Sequence, residues 1–172
     1  MSFSIWRLLV LVLPALGLGP GAAHVLELPA KMAYSPVLYA AVTSSLYALF
    51  GTVGAAIQIG AVLAAGIFAW RTRHRPEFRL ALFGALALAI SLVIWGAIVA
   101  PVNSEWSRVI QDASEPVADA YARLRQRWEY GHVAAFAAWL VGYCLLVFSV
   151  LRETERSMPL TSRDYAQAKR ST

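Results

Sequence analysis

Four long apolar stretches constrain the fold of this chain more than any other feature of its sequence. They cover about residues 5–28, 47–70, 80–100 and 132–151. A helix needs about 20 residues to cross the hydrocarbon core of a bilayer. Lipid offers no hydrogen-bond partners to an open backbone, so only helices and closed barrels can span it. Because the stretches lack the alternation of barrel strands, we predict an all-α fold, a four-helix transmembrane bundle in a lipid bilayer.

Arginine and lysine residues predict the orientation of this bundle. The link "RTRHRPEFR" at 71–79 and the tail at 153–172 are rich in basic residues, and such segments usually stay in the cytoplasm. An even number of spans then places both termini on that side. We expect residues 1–152 to form one four-span domain of a multi-pass cell-membrane protein, and residues 153–172 to form a cytoplasmic tail.

The composition argues against a soluble or nucleic-acid-binding protein. Charged residues make up 15% of the chain, against about 25% in soluble domains. The net charge of +5 comes from basic residues that flank the apolar stretches, so they leave no continuous surface for nucleic acid. Glycine and alanine in the second and third stretches favour close helix packing, within the bundle, in a homo-oligomer or with a membrane partner.

Helical signals also occur between the apolar stretches, on the expected outer side. Ser35 and Pro36 form a helix N-cap and first-turn pair. Between Trp106 and Trp128, apolar residues recur every three or four positions, as in an amphipathic helix. Pro116 is expected to break that helix in two. We predict amphipathic helices on the outer face of the bundle.

The segments "HVLELPAK" and "WEYGH" place ionisable residues near the expected outer ends of the first and fourth stretches. His24 and Glu27 are three residues apart, as are Glu129 and His132, so each pair lies on one helix face. Ionisable side chains in membrane helices are costly and usually face the bundle interior. We therefore expect the four residues to meet in one site.

Two interpretations of this site remain open. The first is a single transition metal (iron, copper, manganese or zinc), because imidazole and carboxylate groups together suit such ions. The expected metal ligands are His24, Glu27, Glu129 and His132. Further ligands or hydrogen bonds could come from Gln58, Asn103, Glu105 and Trp106. The second interpretation is structural: the His and Glu side chains pair only to hold two helices together. No organic cofactor is expected in either case.

The first apolar stretch also has features of a signal peptide. Arg7 precedes an apolar core, and the small residues Gly21, Ala22 and Ala23 form a cleavage motif. Cleavage after Ala23 would make His24 the new N-terminus. The alternative, an uncleaved span, is the one we expect, because the apolar helical pattern continues beyond His24.

Three motifs, "GAAHVLELPAK", "PVNSEW" and "RQRWEYGH", resemble the anthrone oxygenase-like family of small four-span membrane proteins. The resemblance covers about residues 5–152 and implies a four-helix membrane bundle. Some fungal members oxidise anthrones to anthraquinones with dioxygen and no known organic cofactor. His24 and Glu27 together are features that the fungal enzymes need not share. The polar site positions that the resemblance implies are Asn103, Trp106, Arg127, Trp128, Glu129 and His132.

Two functions are compatible with these residues. The first is an oxygenase-like oxidoreductase that acts on a hydrophobic aromatic or quinone-like substrate near the outer membrane surface. An imidazole of the site would remove a phenolic proton or hold a metal, the acids would orient it, and tryptophans would line the cavity. The catalytic residues of this hypothesis are His132, Glu129, Trp106 and Asn103. The alternative is a non-catalytic membrane accessory or small-molecule-binding subunit.

Overall fold

A computed structural model of the protein describes residues 3–47 and 49–157. This part of the chain is helical and contains no strand, which confirms the predicted all-α fold. Residues 158–172, most of the predicted tail, lie outside the described residues. The elements, in chain order, are α1 (Phe3–Ala33), α2 (Pro36–Leu46), a first π-helical turn (Phe50–Gly54), α3 (Ala55–Arg71), α4 (Phe78–Ile94), a second π-helical turn (Trp95–Val99), α5 (Ala100–Asp112) and α6 (Val117–Ser157).

Four helical segments are long and apolar enough to cross a membrane: Phe3–Ala33, Phe50–Arg71, Phe78–Asp112 and Val117–Thr154. The protein is therefore a multi-pass membrane protein built as a helical bundle. The last segment begins well before the apolar stretch that predicted it, because the first turns of α6 pack against α2 and α5. Glu129 and His132 consequently lie within a long helix and not at its start.

The helix ends on one side of the bundle follow the signals in the sequence. The Leu38 backbone N–H donates to Ser35 Oγ at 3.3 Å, so Ser35 caps α2 as predicted. Helix α5 ends at Asp112, and Ala113 then adopts a left-handed backbone with a φ of 48°. Helix α6 begins directly after Pro116, which confirms the predicted break. We call this side, formed by α2 and residues 113–116, the site end.

Ion pairs join the helices at the opposite side, around residues 72–77, which we call the link end. Arg7 Nε lies 3.1 Å from Glu153 Oε2, and Arg75 pairs with the same carboxylate. Arg156 lies 2.9 Å from Glu77 Oε1. Both carboxylates are buried, so these pairs connect α1, the α3–α4 link and α6 at a position shielded from water.

Two glycines allow α4 and α6 to approach each other closely. A Cβ atom added at Gly142 would lie 2.9 Å from the backbone oxygen of Gly84 and 2.8 Å from Leu88 Cδ2. The backbone oxygen belongs to a helix and cannot move aside without shifting the whole element. Small residues at such crossings permit the close packing on which membrane helices depend.

We expect Gly142→Ala to lower the free energy of unfolding by about 1–3 kcal/mol, the usual cost of overpacking a tight contact. Unfolding can be followed by circular dichroism of the purified protein in detergent micelles. The matched control is Gly60→Ala in α3, because a Cβ at Gly60 meets nothing within 4 Å. Equal stability of the two variants would show that the α4–α6 crossing tolerates a methyl group.

Candidate functional site

The two predicted His/Glu pairs come together at the site end of the bundle, where α1 packs against α6. The His24 Nδ1 atom lies 3.6 Å from Glu129 Oε2. The imidazole rings of His24 and His132 are stacked, with their centroids 3.9 Å apart. Glu129 is fully buried, whereas the Glu27 side chain is 47% exposed. His24, Glu129 and His132 therefore form a contiguous cluster in which His24 and Glu129 are buried and His132 is partly buried, and Glu27 lies at its exposed edge.

Lys31 lies at the centre of this cluster and was not among the predicted site residues. Its Nζ atom is 2.9 Å from Glu129 Oε2, 3.2 Å from His24 Nδ1 and 3.7 Å from Glu27 Oε2. The residue is only 1% exposed. Positions 24, 27 and 31 recur at three and four residues, so they share a helix face if α1 continues past Leu28. That spacing is the signal that could have identified Lys31.

Two tyrosines complete the hydrogen bonding of the carboxylates. The Tyr39 hydroxyl donates to Glu129 Oε1 at 3.0 Å, and the Tyr47 hydroxyl donates to Glu27 Oε2. Burial and the neighbouring Glu129 carboxylate raise the pKa of Tyr39 well above its usual range. Tyr39 therefore remains a neutral hydrogen-bond donor at physiological pH. Neither contact was predictable from the sequence, because each joins residues that are far apart in the chain.

The hydrogen-bond partners of the two imidazoles assign different tautomers to them. His132 Nδ1 lies 2.9 Å from the Trp128 carbonyl oxygen, which can only accept, so Nδ1 carries the hydrogen and Nε2 keeps its lone pair. His24 Nδ1 accepts from the Lys31 ammonium, so the hydrogen of His24 is on Nε2. The site thus places an imidazole base beside an imidazole hydrogen-bond donor.

The side chains, as they lie, do not fit the transition metal expected at His24, Glu27, Glu129 and His132. The positive charge of Lys31 lies among these donors and already neutralises Glu129. His132 turns Nδ1 toward its own helix backbone. Within residues 3–47 and 49–157, no three His, Cys, Asp or Glu side chains are arranged to hold a metal ion. Metal binding at this site stays a prediction, and no chemistry is derived from it below.

A cavity of about 720 Å³ lies beside the cluster, inside the bundle. Its size is within the range of about 300–1,000 Å³ that is typical of small-molecule sites. Its wall is mainly apolar and aromatic, with polar groups at a few positions. The wall residues that the argument uses are His24, Tyr47, Gln58, Trp128, His132 and Trp139. The cavity therefore brings the imidazole cluster into contact with a space that suits a lipophilic molecule.

The cavity also reaches the side of the bundle that faces lipid. Phe50, Ile59 and Ile110 line it, and each of these side chains is at least 41% exposed on the bundle surface. Phe50 belongs to the first π-helical turn, a type of irregularity that is frequent at functional sites. A molecule dissolved in the membrane could therefore enter sideways, without crossing the aqueous phase.

Asn103 and Trp106, two of the predicted catalytic residues, form part of the cavity wall. Trp128 Nε1 donates to Asn103 Oδ1 at 2.8 Å. Trp106 Nε1 donates to the Ala120 carbonyl at 3.1 Å, and its ring stacks on Tyr121 with centroids 4.1 Å apart. Asn103 Oδ1 and Trp106 Nε1 are therefore already bound to protein groups, and both residues help to fix the shape of the cavity wall.

Three other residues that the sequence suggested for the site, or placed near it, lie elsewhere. Glu105 pairs at the surface with Arg108 at 2.6 Å and with Arg123 at 3.5 Å. Arg127, which the family resemblance implied, is exposed and is not part of the cavity wall. Arg125 donates to the carbonyl oxygens of Lys31 and Met32 in the last turn of α1 and, at 3.0 Å, to that of Tyr34 just beyond it. It therefore caps α1 and does not enter the site.

Comparison with known proteins adds no relative to this picture. The chain matches no family model, no curated protein and no solved structure. The resemblance to the anthrone oxygenase-like family therefore rests on the three sequence motifs alone.

Proposed function

We propose that the protein is a membrane oxidoreductase of the oxygenase type, which acts on a hydrophobic aromatic substrate bound in the cavity. One feature carries this proposal: His132 lies in the wall of an apolar cavity with Nδ1 hydrogen-bonded to Trp128 and with Nε2 available as a base. A neutral imidazole in this state can remove a proton from a bound substrate. The motifs shared with the anthrone oxygenase-like family point to the same chemistry.

The reaction can be written without a cofactor for a substrate with a CH₂ group between two aromatic rings. His132 Nε2 takes one proton, and the resulting carbanion is stabilised by delocalisation into the rings. The carbanion gives its electrons to dioxygen, a C–O bond forms, and the peroxide takes the proton back from His132. Loss of water from the hydroperoxide leaves the ketone, so one dioxygen gives one ketone oxygen and one water.

The remaining residues of the cluster favour this proton transfer by their charge and hydrogen bonds. The Nε2–H group of His24 can donate to an oxygen of the substrate as negative charge develops there. The buried ammonium of Lys31 lies 3.2 Å from the other nitrogen of the same ring, and a fixed positive charge in a water-poor site stabilises an anion strongly. Glu129 holds Lys31 in place by an ion pair of 2.9 Å.

The test uses the purified protein in detergent micelles with anthrone as the probe substrate. We expect dioxygen uptake and anthraquinone formation in a one-to-one ratio, faster than in micelles that contain heat-denatured protein. Dioxygen electrode readings and absorbance spectra measure the two quantities. Rates equal to those of the denatured control, for anthrone and for simple phenols, would contradict the proposal.

The second candidate is a non-catalytic binding or accessory subunit, and the ion pairs of the cluster favour it. Lys31 and His24 on α1 contact Glu129 on α6, while Tyr39 connects α2 to the same carboxylate. Such a network holds three helices together whether or not a reaction occurs. Tight binding of an aromatic ligand without turnover would favour this candidate over the oxidoreductase.

A further inference from the structure

Gln58 is a polar residue of a membrane span, and its side chain makes no hydrogen bond to any of the described residues. It belongs to α3 and lines the cavity. In the described part of the chain, the hydrogen bonds include none from the Gln58 side chain. A side-chain amide offers two donors and an acceptor, and in the membrane interior such groups normally bond to a neighbouring helix. Gln58 lines the cavity and therefore keeps an amide that is free to hydrogen-bond a ligand there.

The other polar groups near Gln58 are already used. The Ser91 hydroxyl donates to the Ala135 carbonyl at 2.7 Å, and Trp139 Nε1 donates to the Pro14 carbonyl at 2.9 Å. Both residues also line the cavity. Gln58 therefore has spare hydrogen-bonding capacity in this part of the wall. Thr43 Oγ1, which also lacks a partner among the described residues, lines the cavity from α2 at the site end.

Gln58 lies nearer the link end of the cavity than the imidazoles do. Helix α3 continues from Gln58 to Arg71, where it ends at the link end. Helix α6 continues over nearly the same number of residues from Trp139 to Glu153, which pairs with Arg75 at the link end. Gln58 and Trp139 are thus at similar heights along the bundle. The seven residues from His132 to Trp139 correspond to about 10 Å at the helical rise of about 1.5 Å per residue. A ligand that reaches both polar regions must carry polar atoms at opposite edges of an apolar body.

We propose that Gln58 is a specificity-determining residue that hydrogen-bonds an oxygen at the far edge of the substrate. The inference rests on the proposed function, because it places the near edge of the same molecule against His24 and His132. It identifies the substrate class as fused or linked aromatic rings that carry hydroxyl or carbonyl oxygens on opposite edges. Glutamine suits either oxygen, since its amide both donates and accepts.

The experiment compares two ligands that differ only at the far edge, 2-naphthol and 2,6-dihydroxynaphthalene. Their affinities for the purified protein in detergent micelles are measured by quenching of tryptophan fluorescence. We expect the wild type to bind the diol about 2- to 10-fold more tightly than the monophenol, the effect of one net hydrogen bond. Gln58→Met, which nearly keeps the side-chain length, should abolish that preference.

The matched control is Gly60→Ala, two residues away on the same helix, where an added Cβ meets nothing within 4 Å. This variant should keep the preference for the diol. If the preference for the diol persists in Gln58→Met, or is absent in the wild type, the proposed role of Gln58 is wrong. The proposed function is then still supported by binding of 2-naphthol and turnover of anthrone. Failure of both ligands to bind the wild type removes the cavity as a phenol site, and both proposals with it.

Discussion

The His132→Ala variant is expected to oxidise its aromatic substrate about 10²- to 10⁴-fold more slowly than the wild type, the usual effect of losing a general base. His132 has its Nδ1 hydrogen bonded to the Trp128 carbonyl and faces the cavity, so alanine removes the proton acceptor and leaves the space. The rate is measured as dioxygen uptake and anthraquinone formation in detergent micelles. Affinity for 2-naphthol, measured on the same sample, should change by less than the rate.

The control for this prediction is His74→Ala. His74 is exposed in the α3–α4 link, at the end of the bundle opposite the cavity. The His74→Ala variant loses an imidazole that lies outside the site, so its rate of substrate oxidation should equal that of the wild type. If both variants keep the wild-type rate, His132 is not the base, and the binding-subunit interpretation becomes the better one.

The Glu129→Leu variant should lose about 3–5 kcal/mol of unfolding free energy, since it leaves a buried ammonium without its counter-charge. Lys31 is 1% exposed and Glu129 is fully buried, with 2.9 Å between their charged atoms. Lys31→Met should cost a similar amount, because it leaves the carboxylate unpaired. The double variant, with both Glu129→Leu and Lys31→Met, should lose clearly less unfolding free energy than the sum of the two single losses, because apolar side chains then replace both charges. Chemical or thermal unfolding followed by circular dichroism gives the three values.

Glu105→Gln provides the comparison for this cycle. Glu105 forms ion pairs with Arg108 and Arg123, but all three side chains are at least 30% exposed. Exposed pairs contribute about 0–1 kcal/mol, so this variant should remain close to the wild type. Should Glu129→Leu be no less stable than Glu105→Gln, the buried pair would not be a major stabilising contact of the bundle.

The spans were predictable because their signal is local. An apolar stretch of sufficient length has one stable arrangement in lipid, and its position can be read without knowing the neighbouring helices. The Ser35 cap and the break near Pro116 were predictable for the same reason, since each depends on the backbone of a few adjacent residues. Hydropathy did not predict that the amphipathic helix after Pro116 and the fourth span form one continuous helix, α6, whose first turns contact α2 and α5.

The site was predictable only in part, because helical spacing identifies a face but not what that face meets. The three-residue spacings of His24 with Glu27 and of Glu129 with His132 indicated two polar faces, and His24, Glu129 and His132 do meet. The spacing of Lys31 from His24 and Glu27 places it on the same face of α1, but its contact with Glu129, like that of Tyr39, depends on where α6 lies relative to α1 and α2. No property of either residue within its own segment reports the position of Glu129.

The sequence by itself determined an all-helical membrane protein with polar groups concentrated toward one end, because bilayer thickness and backbone hydrogen bonding leave a chain with these apolar stretches few alternatives. The tertiary structure alone decided that a lysine ammonium lies among the donors, that His132 faces a cavity and that Gln58 bonds to none of the described residues. Each of these depends on distances between side chains from different helices, and such distances are set by how the helices pack and not by the order of residues along any one of them.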